Sequence, residues 1–105
     1  MRPIFLVGYM GCGKSTIGRT VSRLTGMRFI DLDSYIENRY HATVSEIFAS
    51  HGEAGFRDIE HRMLHEVAEF EDVIVACGGG TPCFMGNMDY MNGCGITVFL
   101  DTPID

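Results

Sequence analysis

A glycine-rich segment near the start of the chain holds its only lysine. Residues 8–16 read GYMGCGKST, which fits the pattern G-x-x-x-x-G-K-[ST] through Gly8, Gly13, Lys14 and Ser15. The glycines allow backbone N–H groups to curl around an anion, and a following helix N-terminus adds positive potential. In such loops the lysine reaches the β- and γ-phosphates of a nucleotide, and the hydroxyl binds Mg²⁺. The segment therefore predicts a nucleotide-phosphate site; the alternative is a glycine-rich turn without a ligand.

Two aspartates, Asp31 and Asp33, follow the apolar end of a second short strand. In an extended segment, residues two apart point to the same side. Two like charges in a cleft favour a bound cation or a shared proton, and Mg²⁺ suits a site beside a phosphate loop. The alternative is an ordinary strand-to-helix turn in which Asp33 caps the next helix.

An arginine and a second glycine cluster offer further binding groups. Arg57 precedes Glu60 by one helical turn, and an arginine fork can bind a carboxylate through two hydrogen bonds. Gly78, Gly79 and Gly80 leave a backbone without side-chain cover, which a small ligand could approach closely. The alternatives are a surface ion pair and a flexible turn.

His61 and His65 lie four residues apart, so a helix would place them on one face. Pairs of metal-binding histidines use this spacing, but no third ligand stands out in the sequence. We therefore favour solvated helix histidines over a metal site.

Alternating strands and helices position these groups. Apolar runs predict four strands, at residues 4–7, 28–32, 73–76 and 96–100. Apolar spacing predicts helices over 14–24, 34–39, 53–69 and 87–91, with another helix opened by a Thr43–Glu46 capping box and stopped at Gly52. The first helix should end at Gly26. This alternation predicts a single α/β domain with a parallel sheet.

Composition narrows the possible partners. The formal net charge is −6 with only 8 basic residues, which disfavours nucleic acid and anionic lipid as partners. No apolar stretch approaches the ~20 residues of a membrane span, so we expect a cytoplasmic protein. The four cysteines show no paired spacing, which favours free thiols over a zinc site or disulfides.

Taken together, these motifs resemble the shikimate kinase family over residues 2–105. The matching segments are GYMGCGKSTIGR (8–19), FIDLDSYIE (29–37), SEIFASHGEAGFRDIE (45–60) and ACGGGTPC (76–83). Gluconate kinases and nucleoside monophosphate kinases share the phosphate loop but lack the combination of DLD, GFRxxE and GGG. The resemblance implies a P-loop kinase core with three α/β/α layers over residues 1–105. It also implies strand order 2-3-1-4, with the family's fifth strand missing and residues 34–62 inserted as a substrate-binding helical segment.

The resemblance further implies ATP-dependent phosphorylation of the shikimate 3-hydroxyl with Mg²⁺, giving shikimate 3-phosphate and ADP in aromatic amino-acid biosynthesis. It assigns catalytic roles to Lys14 and Asp33, and metal binding to Ser15 and Asp31. The implied ATP-phosphate residues are Gly11, Cys12, Gly13, Lys14, Ser15 and Thr16. The implied substrate residues are Asp33, Arg57, Gly78, Gly79 and Gly80.

The sequence departs from the family after its fourth strand. The family continues into a lid carrying arginines, a fifth strand, an adenine-contacting loop and a last helix, whereas no arginine follows Arg62 here. We therefore expect the 105-residue form to be weakly active or inactive. We also expect it to self-associate through strand 96–100 or to be marginally stable, where the longer form would be a monomer by family resemblance. Another small-molecule P-loop kinase, such as a gluconate kinase, and a non-catalytic nucleotide-binding domain remain alternatives.

Overall fold

The structure, a computed structural model, describes residues 2–8, 14–78 and 81–100. Its strands are β1 (Ile4–Gly8), β2 (Arg28–Asp31), β3 (Val73–Ala76) and β4 (Ile96–Leu100). Its α-helices are α1 (Lys14–Thr25), α2 (Leu32–Tyr40), α3 (Val44–Ala68) and α4 (Asn87–Cys94). A short 3₁₀ turn, Thr81–Cys83, lies between β3 and α4.

The four strands form one parallel sheet in the order β2-β3-β1-β4, which confirms the predicted order. Phe29 of β2 pairs with Ile74 of β3, which in turn pairs with Ile4 of β1. Because all strands run the same way, their carboxyl ends share one edge of the sheet. The segments that carry the candidate site residues leave the sheet at this edge, where ligands bind in open α/β folds.

Helices cover both faces of the sheet, as the three-layer prediction requires. Leu6 and Ile74 face one side and pack with residues of α1 and of the α1–β2 connection. Their chain neighbours, such as Phe5 and Val75, face the opposite side and pack against α2, α3 and α4. Alternate residues of each buried strand therefore serve two separate cores, which explains the continuous apolar runs.

The predicted helix signals behave largely as expected. Thr43 accepts from the Glu46 amide while the Glu46 side chain accepts from the Thr43 amide, so the capping box is confirmed. Gly52 has φ 73° and kinks α3 at the predicted break. Gly26 also has a positive φ, 77°, directly after the end of α1. In both positions the left-handed backbone favours glycine.

The junction between β2 and α2 differs from the prediction. The strand ends at Asp31, and α2 begins at Leu32, so no extended segment aligns Asp31 with Asp33. Asp31 is the N-cap residue: its carboxylate Oδ1 accepts from the Ser34 amide at 3.1 Å. The alternative in which Asp33 caps this helix is therefore wrong, because Asp33 already lies inside the first turn.

Strands β3 and β4 have the predicted bounds, whereas two other elements run slightly longer than predicted. β1 includes Gly8, and α4 continues to Cys94. Within the described residues β4 pairs with β1 alone, and Ile96 of β4 is 51% exposed. None of the helices in the described part of the chain combines the length and apolar character needed to cross a membrane.

Candidate active site

Lys14 stands where the phosphate loop meets α1. It is the first residue of α1, and its ammonium donates to the carbonyl oxygen of Gly8 at the end of β1, at 3.0 Å. The ammonium is thus held at the base of the loop, next to the positive end of the α1 dipole. Thr16 is exposed on the same first turn. The other predicted loop residues, Gly11, Cys12 and Gly13, and the Ser15 side chain lie outside the described residues.

Asp33 and Gly78 meet across the carboxyl edge of the sheet. A Cβ placed on Gly78 would lie 3.5 and 3.6 Å from the two carboxylate oxygens of Asp33, and 3.4 Å from the Thr81 hydroxyl. Glycine at this position keeps the space beside the carboxylate open. The structure therefore brings two of the predicted substrate residues together, while Gly79 and Gly80 fall outside the described part.

The environment of Asp33 favours its protonated form. Burial raises the pKa of Asp33, and the charges of Asp31, Glu60 and Glu37 raise it further, while Arg57 lowers it. A carboxylate crowded by other carboxylates attracts a cation or a proton. A raised pKa also makes the ionised form a better proton acceptor near neutral pH, which is the property a general base needs.

Arg57 and Glu60 form a buried ion pair rather than the surface pair that the sequence left open. The Arg57 guanidinium donates to Glu60 Oε1 at 3.1 Å, with side-chain exposures of 17% and 1%. The second Glu60 oxygen accepts from the buried Thr81 hydroxyl at 2.7 Å. Glu60 thus ties α3 to the loop after β3, a role that the one-turn spacing alone could not reveal.

Aromatic rings hold the Arg57 guanidinium from other directions. Its centre lies 4.2 Å from the ring centroid of Phe84, 5.5 Å from that of Phe56 and 5.9 Å from that of Phe48. The Arg57 Nε is buried, and no described residue accepts from it. A buried, charged donor without an acceptor is rare, and an anionic ligand is one explanation for it.

The two histidines of α3 are half-buried against α4, so the prediction of solvated histidines is wrong. His61 Nδ1 lies 2.7 Å from Asn87 Oδ1, and the His65 ring stacks on Tyr90 with centroids 3.6 Å apart. Groups of three or more residues able to hold a metal are absent from the described residues. No local sequence pattern indicates these contacts, because 26 residues separate His61 from Asn87.

Cys77, just after β3, is a buried thiol whose pKa is influenced by several of the charged candidate residues. Burial raises the pKa of the Cys77 thiol strongly, the charges of Glu60, Asp33 and Asp31 add to this rise, and Lys14 opposes it. The phosphate-loop lysine and the three carboxylates therefore lie within electrostatic reach of one buried point. The thiol itself is unreactive at neutral pH.

Asp31 is the described candidate for a magnesium contact. Its Oδ1 is engaged in capping α2, and the residue is half-buried at the sheet edge. Mg²⁺ in nucleotide sites typically takes one or two carboxylates and completes its shell with phosphates and water. The single carboxylate of Asp31 at the carboxyl edge of the sheet fits that donor set.

A parallel sheet of order 2-3-1-4, with a lysine-bearing glycine loop between β1 and α1, defines a P-loop α/β protein of the kinase type. The family model described as shikimate kinase matches residues 10–105. The chain belongs to the shikimate kinase family.

Individual relatives agree with this assignment. A shikimate kinase of Parabacteroides distasonis is 58% identical over 105 residues, which cover all of this chain and 61% of the relative. The crystal structure of shikimate kinase from Bacteroides thetaiotaomicron has a TM-score of 0.91 at 58% identity, over 93% of this chain and 58% of that one. A shikimate kinase from Acinetobacter baumannii, solved in complex with shikimate, has a TM-score of 0.93 at 40% identity, over 98% and 57%. The chain thus spans about 60% of the length of the relatives it matches.

Proposed function

We propose that this chain carries the phosphate and substrate half-sites of a shikimate kinase. That enzyme would transfer the γ-phosphoryl group of ATP to the 3-hydroxyl of shikimate, giving shikimate 3-phosphate and ADP in aromatic amino-acid biosynthesis. The observation that carries the proposal is the Arg57 guanidinium, fixed by Glu60 and by aromatic rings but left with a buried donor that lacks an acceptor among the described residues. A carboxylate ligand would satisfy that donor.

The proposed substrate-binding residues would contact different groups of the substrate according to their charge. Arg57 would bind the carboxylate of shikimate, while Asp33 would accept hydrogen bonds from its ring hydroxyls and orient or deprotonate the attacking one. Gly78, with Gly79 and Gly80, would line the ring with backbone. Residues 34–62 would then act as the substrate-binding helical segment between β2 and β3. The position of Gly78, where an added Cβ would lie 3.5 Å from the Asp33 carboxylate, supports this division.

The phosphate residues would hold ATP and Mg²⁺. Lys14 and the loop from Gly11 to Thr16 would bind the phosphates, and Ser15 with Asp31 would contact the metal. The Mg²⁺ ion would neutralise charge on the phosphate oxygens. Phosphoryl transfer depends mainly on positioning and charge neutralisation, which these residues can supply without covalent catalysis.

The substrate proposal is tested by NMR titration of the chain with shikimate and with gluconate. We expect shikimate to shift the amides around Asp33 and Gly78, and Arg57→Ala to remove that response. The matched control is Arg62→Ala, because Arg62 forms an exposed ion pair with Asp58 on the same helix. Shifts with gluconate and none with shikimate would assign another substrate class.

Calorimetry with ADP and Mg²⁺ tests the phosphate half-site. We expect weak binding that Lys14→Ala abolishes. Binding of ADP without any response to shikimate would instead indicate a non-catalytic nucleotide-binding domain. We expect low turnover from the 105-residue form, because phosphoryl-stabilising arginines contribute about 10³–10⁵ in rate in related chemistry, and the sequence holds none after Arg62.

Location and assembly complete the proposal. Cys77, Cys83 and Cys94 are free thiols, which suits a reducing cytoplasm. The net charge of −6 disfavours nucleic acid and anionic membranes as partners. We expect the longer form to be monomeric and the 105-residue form to self-associate through β4.

A further inference from the structure

A chain of buried polar contacts continues from the Arg57–Glu60 pair to the far side of the loop after β3. The Asn87 side-chain amide donates to the Thr81 carbonyl oxygen at 2.9 Å, and Asn87 Oδ1 lies 2.7 Å from His61 Nδ1. Thr81 and Asn87 are both 0% exposed. A fully satisfied buried polar network fixes the position of its members more strongly than an apolar contact does.

The donor and the acceptor of each hydrogen bond in this series of polar contacts follow from the atoms involved. A backbone carbonyl oxygen only accepts, so the Asn87 nitrogen must face Thr81 and its oxygen must face His61. His61 therefore donates from Nδ1. On the other side of the loop, the Thr81 hydroxyl donates to Glu60, because the ionised carboxylate only accepts. Thr81 is thus held at two points, by its hydroxyl and by its carbonyl oxygen.

Thr81 is anchored directly by Glu60 of α3 and by Asn87 of α4, and Asn87 is itself held by His61 of α3. Arg57, Glu60 and His61 stand at positions i, i+3 and i+4, which share one face of a helix. The segment they hold includes Gly78, and a glycine backbone loses more conformational freedom on ordering than that of any other residue. The Thr81 amide in turn donates to the Gly78 carbonyl at 3.1 Å, and Gly78 lies against Asp33.

We propose that His61 and Asn87 are positioning residues for the substrate site. They fix Thr81 through its carbonyl oxygen, and Thr81 fixes Gly78 beside Asp33 and Glu60 beside Arg57. The inference rests on the proposed function, because it assigns the two residues to the binding of shikimate. Neither residue needs to contact the substrate for this role.

The decisive variant is Asn87→Asp, which keeps the shape of the side chain and still accepts from His61. It loses the donor that faces the Thr81 carbonyl and places a second acceptor there. We expect it to weaken shikimate binding by about 5- to 30-fold, the equivalent of one buried hydrogen bond. We also expect faster amide exchange at Thr81 and a moved Arg57 Nε–H resonance without any ligand.

A second pair of variants keeps the test usable if Asn87→Asp unfolds the chain. His61→Leu removes the Nδ1 donor, whereas His61→Asn places an amide nitrogen near the same position and should restore most of the shikimate affinity. Tyr90→Phe is the matched control, because Tyr90 stacks on His65 in the same helix interface but takes no part in the chain of contacts to Thr81. It should leave both the affinity and the Thr81 exchange unchanged.

The outcomes separate this inference from the proposed function. If wild type does not respond to shikimate but Asn87→Asp still speeds Thr81 exchange and moves the Arg57 resonance, the proposed function fails and the positioning of Arg57 is supported. If Asn87→Asp retains wild-type shikimate affinity, the inference is overturned, whatever happens to the exchange. Equal loss of affinity in His61→Leu and His61→Asn would overturn it as well, since a donor at that position would then be irrelevant.

Discussion

Thr81→Val replaces one buried hydroxyl of the candidate site with a methyl group and leaves the shape of the side chain nearly unchanged. The Thr81 side chain is fully buried, and its hydroxyl donates to Glu60 Oε2 at 2.7 Å. Valine fills the same space, so no cavity term enters. The variant therefore isolates the consequence of leaving one oxygen of a buried carboxylate without its donor.

The expected loss can be estimated from the surroundings of Glu60. A hydrogen bond to a charged group contributes about 1.5–3 kcal/mol, and the upper half of that range applies where water cannot replace the lost partner. Glu60 is 1% exposed, so we expect the free energy of unfolding to fall by about 2–3 kcal/mol. For a domain of this size that corresponds to a drop in Tm of about 10 °C or more.

Urea and thermal unfolding of wild type and Thr81→Val measure this loss. Thr97→Val is the matched control, because the buried Thr97 hydroxyl has no hydrogen-bond partner among the described residues. The same chemical change there should be neutral or slightly stabilising. A double-mutant cycle with Glu60→Gln should show strong coupling between Thr81 and Glu60. Equal effects of the two valine substitutions, or a Thr81→Val change within about 0.5 kcal/mol of zero, would refute the reasoning.

Three further predictions follow from charge and exposure. Burial and nearby carboxylates raise the pKa of Asp33, so its stabilising contribution is present at low pH and is lost as the pH rises through the pKa of the folded state. Asp33→Asn should therefore raise the Tm at pH ~7, and this increase should disappear in acid. Burial and His61 lower the pKa of His65 in the folded state below 6.5. As the pH falls, His65 is therefore protonated in the unfolded chain before it is protonated in the folded one, and the stability should decrease below pH 6.5. This pH dependence should shrink in His65→Phe. Ile96→Lys should reduce self-association seen by light scattering, whereas Leu24→Lys, at a still more exposed position on α1, should not.

Local sequence signals predicted the elements and part of the site. The rule that parallel strands end at one edge placed Asp33 near Gly78, and the one-turn spacing paired Arg57 with Glu60. At the β2–α2 junction the same reasoning failed by one or two residues, because either aspartate could cap the helix. Which aspartate caps the helix depends on the residue at which β2 stops pairing with the sheet, and tertiary packing determines that residue.

Burial of the ion pair lay beyond any local signal. The spacing of Arg57 and Glu60 is the same on a solvent-facing helix surface as in a core, and the difference is the Thr81 hydroxyl, 21 residues away from Glu60. Likewise, His61 and Asn87 show no pattern until α4 is placed against α3. Two of the polar contacts that hold the site together, Glu60–Thr81 and His61–Asn87, therefore join residues that are far apart in the sequence and of ordinary appearance there.

The geometry also implies that two groups of candidate site residues are coupled through one short loop. One group lies at the carboxyl ends of the strands (Lys14, Asp31 and Asp33), and the other belongs to α3 (Arg57 and Glu60). Within the described residues this loop connects the two groups, because Gly78 lies beside Asp33 and Thr81 bonds Glu60. These two contacts are three residues apart and are joined by the Thr81 amide to Gly78 carbonyl bond. A change that moves this turn must therefore shift the Arg57 guanidinium relative to Asp33. Substitutions at Thr81 should for this reason weaken substrate binding, even though Thr81 itself is completely buried.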